Sequence, residues 1–171
     1  MMKFFLLTTL VILPFLVKAD PSPFGLEISI ATVESSKAKY HMKYAGENRY
    51  NGGDMYNLNV EEISIEGLQS ATAIFDKEKK LVAILTTFSK NKFDYLFSTM
   101  KKKYKLSSKN IPFVGNKSAT FKSGNSTIIL NAPHLSFQMS MNYLNNDFQK
   151  TYQEIKRKEA QAKRKAEQSK L

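Results

Sequence analysis

The chain has 171 residues, 26 Lys and Arg against 15 Asp and Glu, a formal net charge of +11 at pH 7, two His, and no Cys or Trp. Without cysteine there is no thiol catalysis, no thiolate metal site, no disulfide chemistry and no lipid-modified N-terminal cysteine. The length suits one domain of ordinary size, whose stability has to come from a packed core.

The first twenty residues run Met1-Met2-Lys3, an apolar stretch from Phe4 to Val17, and Val17-Lys18-Ala19 before Asp20. A positive segment, an apolar segment and a small-residue cleavage site in that order predict a signal peptide over 1–19, cut near Ala19. The apolar stretch contains Pro14 and falls short of the roughly 18 or more residues that span a bilayer. An uncleaved N-terminal anchor is the alternative. Removal of Lys3 and Lys18 lowers the charge from +11 by two, to +9, and places the product in the periplasm or outside the cell.

Asp20-Pro21-Ser22-Pro23 reads as a stiff non-helical lead-in, with folded sequence from about Phe24. Thr32 to about Lys43 lacks Gly and Pro and puts Val33, Ser36, Lys37, Tyr40 and Tyr44 on one stripe, predicting a helix capped by Thr32. Gly46, Asn48, Asn51, Gly52, Gly53 and Asp54 predict a loop over 45–54. Leu58, Val60, Ile63 and Ile65 then suggest a strand or bulged strand ending at Gly67. Ser70 to Phe75 and Leu81 to Phe88 predict a hairpin with the charged tip Asp76-Lys77-Glu78-Lys79-Lys80.

Phe93, Leu96, Phe97, Met100 and Tyr104 recur at helical spacing, with Asn91 as candidate cap. Ala119 to Lys122 and Ser126 to Leu130 flank Ser123-Gly124-Asn125, a second hairpin. Phe137 to Tyr143 alternates large apolar and polar residues, so its sheet has one buried and one wet face. The expected fold class is α+β: two helix-plus-three-strand halves forming an antiparallel sheet, with 20–150 as one domain and a basic helical tail over 151–171.

The segment Phe24-Gly25-Leu26-Glu27-Ile28, leading into a helix and then a meander, resembles small exported bacterial proteins of the SmpA/BamE type and their tandem relatives similar to beta-lactamase inhibitory protein. Those families open the helix with a Gly and Ser/Thr turn, where this chain has Ser29-Ile30-Ala31-Thr32. The resemblance implies a non-catalytic scaffold that binds another protein through an exposed sheet face.

Between Thr151 and Leu171 seven basic residues stand against Glu154, Glu159 and Glu167, a net +4, and Glu154–Lys158 and Glu159–Lys163 are spaced as helix-supporting pairs. Helix is expected near Phe148 to Ile155, fraying beyond. The candidate contact residues are Lys156, Arg157, Lys158, Lys163, Arg164 and Lys165 in the tail, and Lys101, Lys102 and Lys103 on the outer side of the amphipathic helix. Tail contacts with anionic lipid or glycan fit this charge. Nucleic acid does not fit, because the aromatic residues fall on core stripes instead of alternating with lysines.

Catalytic vocabulary is sparse. His41 and His134 have no GxSxG, HExxH or phosphate-loop motif beside them. Two histidines and scattered carboxylates lack metal-ligand spacing, and neither catalytic residues, a cofactor nor a metal are expected. The sequence therefore reads as an exported, non-catalytic interaction protein of the bacterial envelope with a protein partner. The alternatives are a small exported hydrolase using His134, paired with Asp54 or Asp147, and a secreted effector.

Overall fold

The computed structural model describes residues 19–170. Apart from Ala19, the expected signal peptide lies outside the described residues. One antiparallel sheet of eight strands organises the chain, in the order β1-β2-β3-β4-β8-β7-β6-β5. Its strands are β1 (Met42–Glu47), β2 (Asp54–Leu58), β3 (Leu68–Phe75), β4 (Leu81–Ser89), β5 (Lys105–Asn110), β6 (Lys117–Ser123), β7 (Ser126–Ala132) and β8 (Gln138–Asn145). The helices are α1 (Val33–Lys37), α2 (Val60–Ile63), α3 (Phe93–Lys103) and α4 (Asn146–Gln168).

The α+β class and the antiparallel sheet hold. The count does not: each half of the chain supplies a four-stranded meander, not three strands, and the two meanders join where β4 pairs with β8. In the first half, the predicted helix over 32–43 stops at Lys37, and Met42 and Tyr44 instead pair with Leu58 and Tyr56. Thr32 does cap α1, accepting from the Ser35 N–H at 3.2 Å while the Ser35 hydroxyl accepts from the Thr32 N–H at 2.9 Å. The expected strand over 58–65 is a strand end followed by one helical turn, because the Asn59 side chain accepts from the Glu61 N–H and Ser64 turns left-handed at φ 55°. In the second half, β5 takes up a lysine-bearing stretch that carries no alternation.

Other expectations were met or adjusted. The β3–β4 and β6–β7 hairpins and the alternation in β8 stand as predicted. Helix α3 follows its apolar stripe, but a short 3-10 turn over Lys90–Lys92 leads into it and Asn91 does not cap it. The lead-in is part of the fold: Pro21 is fully buried and the Ser123 hydroxyl donates to the Ala19 carbonyl at 3.0 Å. Helix α4 does not fray after Ile155 but continues to Gln168.

The main core lies on the first face of the sheet. There Phe75, Ile84, Phe88, Phe121, Ile128, Leu130 and Met141 meet Phe93, Leu96 and Met100 of α3 and Val33 of α1. A smaller cluster of Ile74, Val82, Ala83 and Phe148 lies on the second face, where the first turns of α4 pack.

Candidate binding face

Strand alternation sends every second side chain away from the core. On this second face stand Asn57, Thr72, Thr87, Ser140, Asn131 and Thr120, half-exposed or exposed. Several bond to each other: the Thr72 hydroxyl donates to Asn57 Oδ1 at 2.8 Å, Gln138 Nε2 to Gln69 Oε1 at 2.8 Å, and Gln69 Nε2 to Ser89 Oγ at 3.2 Å. Hydroxyls and amides both donate and accept, so the central part of this surface can meet backbone or hydroxyl groups of a partner, while Lys43, Lys105 and Lys122 stand on the same face towards its edges.

Helix α4 roofs one part of that face. Asn145 caps it by accepting from the Asp147 and Phe148 N–H groups at 2.9 and 3.2 Å, which drives Phe148 onto Ile74, Val82 and Ala83. One turn later Tyr152 meets Tyr50 edge to face, centroids 4.8 Å apart. Arg49 lies over the Tyr50 ring at 4.9 Å and reaches the Glu159 carboxylate at 3.1 Å.

The β1–β2 loop that supplies Arg49 and Tyr50 is built from asparagine side chains. Buried Asn48 accepts from the Tyr50 N–H at 2.9 Å, and Asn51 accepts from the Gly53 N–H at 3.1 Å while donating to the Phe75 carbonyl at 3.0 Å. Gly53 passes so close to the end of β3 that a Cβ would stand 2.1 Å from the Phe75 carbonyl oxygen.

Between this loop, α4 and the sheet lies a cleft of about 550 Å³. Met55, Ile74, Leu85, Ile129 and Leu144 form its floor, and Asn48, Arg49, Asn142 and Gln149 supply the polar groups. An apolar floor with a few converging polar groups, at this size, suits a small cluster of apolar side chains or a small amphipathic ligand.

The basic residues singled out by sequence fall on two separate elements. Lys101, Lys102 and Lys103 are exposed in the last turn of α3, where positive charge complements the helix C-terminus, on the face opposite the cleft. Lys156, Arg157, Lys158, Lys163, Arg164 and Lys165 are exposed along α4. The anticipated tail pairs give way to Lys156–Glu159 at 3.6 Å and Lys163–Glu167 at 4.0 Å, with Glu159 also held by Arg49.

His134 sits between β7 and β8, at the opposite end of the sheet from both Asp54 at the start of β2 and Asp147 at the start of α4. The suggested pairing with either carboxylate is therefore not made. Its backbone N–H donates to Asn116 Oδ1 at 2.7 Å. The histidine–carboxylate contact that does form joins the His41 imidazole to Glu62 on an exposed edge, and sequence reading did not anticipate it. Among the described residues no three His, Cys, Asp or Glu side chains gather as a metal site.

The cleft was also missed, although a signal existed. Leu81–Leu85 and Ile128-Ile129-Leu130 are apolar at both parities, which requires cover on both faces of the central strands. No protein-family model, curated protein or solved structure matches the chain.

Proposed function

We propose that the chain is an exported, non-catalytic binding protein of the bacterial envelope that recognises a protein partner through the second face of its sheet. One observation carries the reading: a surface rich in hydroxyls and amides, with Lys43, Lys105 and Lys122 only towards its edges, continues into an apolar cleft roofed by α4. Such a surface offers a polar area for backbone contacts and one recess for a small cluster of anchoring side chains, the arrangement that concentrates binding energy at interfaces. This is also the surface that a scaffold of the SmpA/BamE type, or of the beta-lactamase inhibitory protein type, would use. The signal-like leader and the net positive charge support an envelope location. The basic tail adds an electrostatic contact that salt screens over about 8 to 10 Å.

The test is capture of partners from envelope extract at low and moderate salt with three forms: the unsubstituted protein, T87K/S140K, and a form ending at Glu159. The cut falls after Glu159 because Phe148, Tyr152 and Glu159 anchor the helix. A protein retained at moderate salt by the shortened form and lost by T87K/S140K supports the reading. Retention that follows the tail and disappears with salt refutes it.

A further inference from the structure

Four large apolar side chains stand uncovered at one end of the sheet. Leu135 and Phe137, between β7 and β8, are each 95% exposed; Phe113 is wholly exposed and Val114 largely so, between β5 and β6. Exposed apolar groups scattered singly are ordinary, but four on adjacent loops at one end are not.

The loops are braced. The His134 N–H donates to Asn116 Oδ1 at 2.7 Å, tying one loop to the other. Lys90 Nζ donates to the Pro133 and His134 carbonyls at 2.6 Å each, and the Lys90 N–H donates to the Phe137 carbonyl at 2.8 Å. The fold thus spends backbone and lysine hydrogen bonds holding these side chains outward.

The protrusions are convex, with side chains that touch almost nothing. A protein partner recognises apolar residues best by burying them in matched pockets, whereas a bilayer accepts separate protruding side chains at the boundary between headgroups and acyl chains. The surrounding charge favours an anionic bilayer. Lys90, Lys92, Lys109 and Lys117 lie at this end; Lys92 at 2.7 Å and Lys117 at 3.6 Å pair with the neighbouring carboxylates Glu66 and Asp94, so four lysines against two carboxylates leave a net +2, with Lys109 exposed.

We propose that this end of the sheet is a membrane-docking tip, at which Phe113, Val114, Leu135 and Phe137 enter the surface of an anionic phospholipid bilayer and exposed Lys109, with the net positive charge of the tip, faces its phosphates. Helix α4 starts at the other end of the sheet, so docking leaves the cleft and the open face accessible. The tip is a different surface from the partner face, and either assignment can fail without the other.

The chain has no tryptophan, so one substitution supplies a local probe. F113W and F137W, in the full chain, are mixed with phosphatidylglycerol vesicles, with Y44W on the far edge strand β1 as control. The tip probes are expected to shift to the blue and to be quenched by brominated acyl chains, and the control is expected not to respond. Each aromatic replaced by serine at the tip is expected to lower vesicle affinity roughly tenfold or more, with melting unchanged. Unshifted tip probes, or an equal response at Tyr44→Trp, overturn the proposal. A shift produced by envelope protein but not by vesicles also overturns it, in favour of a protein contact.

Discussion

Arg49 and Glu159, 110 positions apart in the chain, form an ion pair at 3.1 Å that ties the β1–β2 loop to the fourth turn of α4. Through Arg49, Glu159 fastens α4 to the loop, and every described residue beyond it is exposed. The helix is therefore a docked segment followed by about 14 Å of solvated rod.

Docking depends on Phe148 more than on the ion pair. Both partners of the pair are well exposed, so R49A is expected to change stability by at most about 1 kcal/mol. F148A empties the centre of the second-face cluster and is expected to cost about 3 kcal/mol. Denaturant melts of the two variants give the comparison, and equal losses would mean that the pair, not the apolar contact, seats the helix.

Gly53 has a sharper requirement. Its missing Cβ leaves room for the Phe75 carbonyl, and the loop cannot retreat without breaking the Asn51 bond to that same oxygen. G53A is expected to destabilise by about 1 to 3 kcal/mol, as overpacking does elsewhere, and to loosen Tyr50 over Tyr152. Unfolding curves check the first effect, and hydrogen exchange in the first turns of α4 checks the second.

What the sequence made legible follows from burial. Helix α3, the two hairpins and β8 each have one face against the core, so apolar period and turn residues revealed them. Edge strands β1 and β5 are mostly exposed on both faces, and Met42–Glu47 and Lys105–Asn110 carry no alternation to read. Tyr44 of β1 falls on a helix stripe, and the lysines of β5 continue the basic run Lys101–Lys103 of the preceding helix. The cleft was illegible as a site because its walls come from β2, β3, β4, β7, β8, α4 and a loop held by Asn48 and Asn51. No local pattern encodes the β4–β8 pairing that brings them together.

The Glu62 contact is expected to make stability depend on pH. The His41 N–H donates to Glu62 Oε2 at 2.8 Å, and this bond, then the imidazole contact, holds the Glu62 carboxyl below its ordinary value. A depressed folded pKa contributes stability above the unfolded value of about 4.3, and that contribution disappears as pH falls through the lower folded value. E62Q is expected to melt nearer to the unsubstituted protein at low pH than at neutral pH. Melting midpoints from neutral to acid pH measure this, and a constant gap between the two proteins would refute it.

The junction of the two meanders carries the least ordinary chemistry in the sheet. The β4–β8 register runs Ala83 to Leu144 and Ile84 to Tyr143, then resumes at Thr87 and Ser140, leaving Leu85 and Thr86, which pair with Thr72 and Ala71 of β3, without ladder partners in β8. Side chains fill the gap: Asn142 Oδ1 accepts from the Thr86 N–H at 3.2 Å, and the Thr86 hydroxyl donates to the Met141 carbonyl. Thr86 is buried, so removing the Asn142 amide strands a backbone donor and is expected to cost about 1 to 3 kcal/mol. N142A should also speed exchange of the Thr86 amide relative to its neighbours in β4, and T86V should lose the hydroxyl bond without affecting that amide. Because Asn142 also lines the cleft, N142A enlarges the recess at the point where both halves of the chain meet. Residue-resolved hydrogen exchange on both variants decides the matter: if the Thr86 amide is equally protected in N142A, the strands themselves close the gap and the asparagine is only a wall of the cleft.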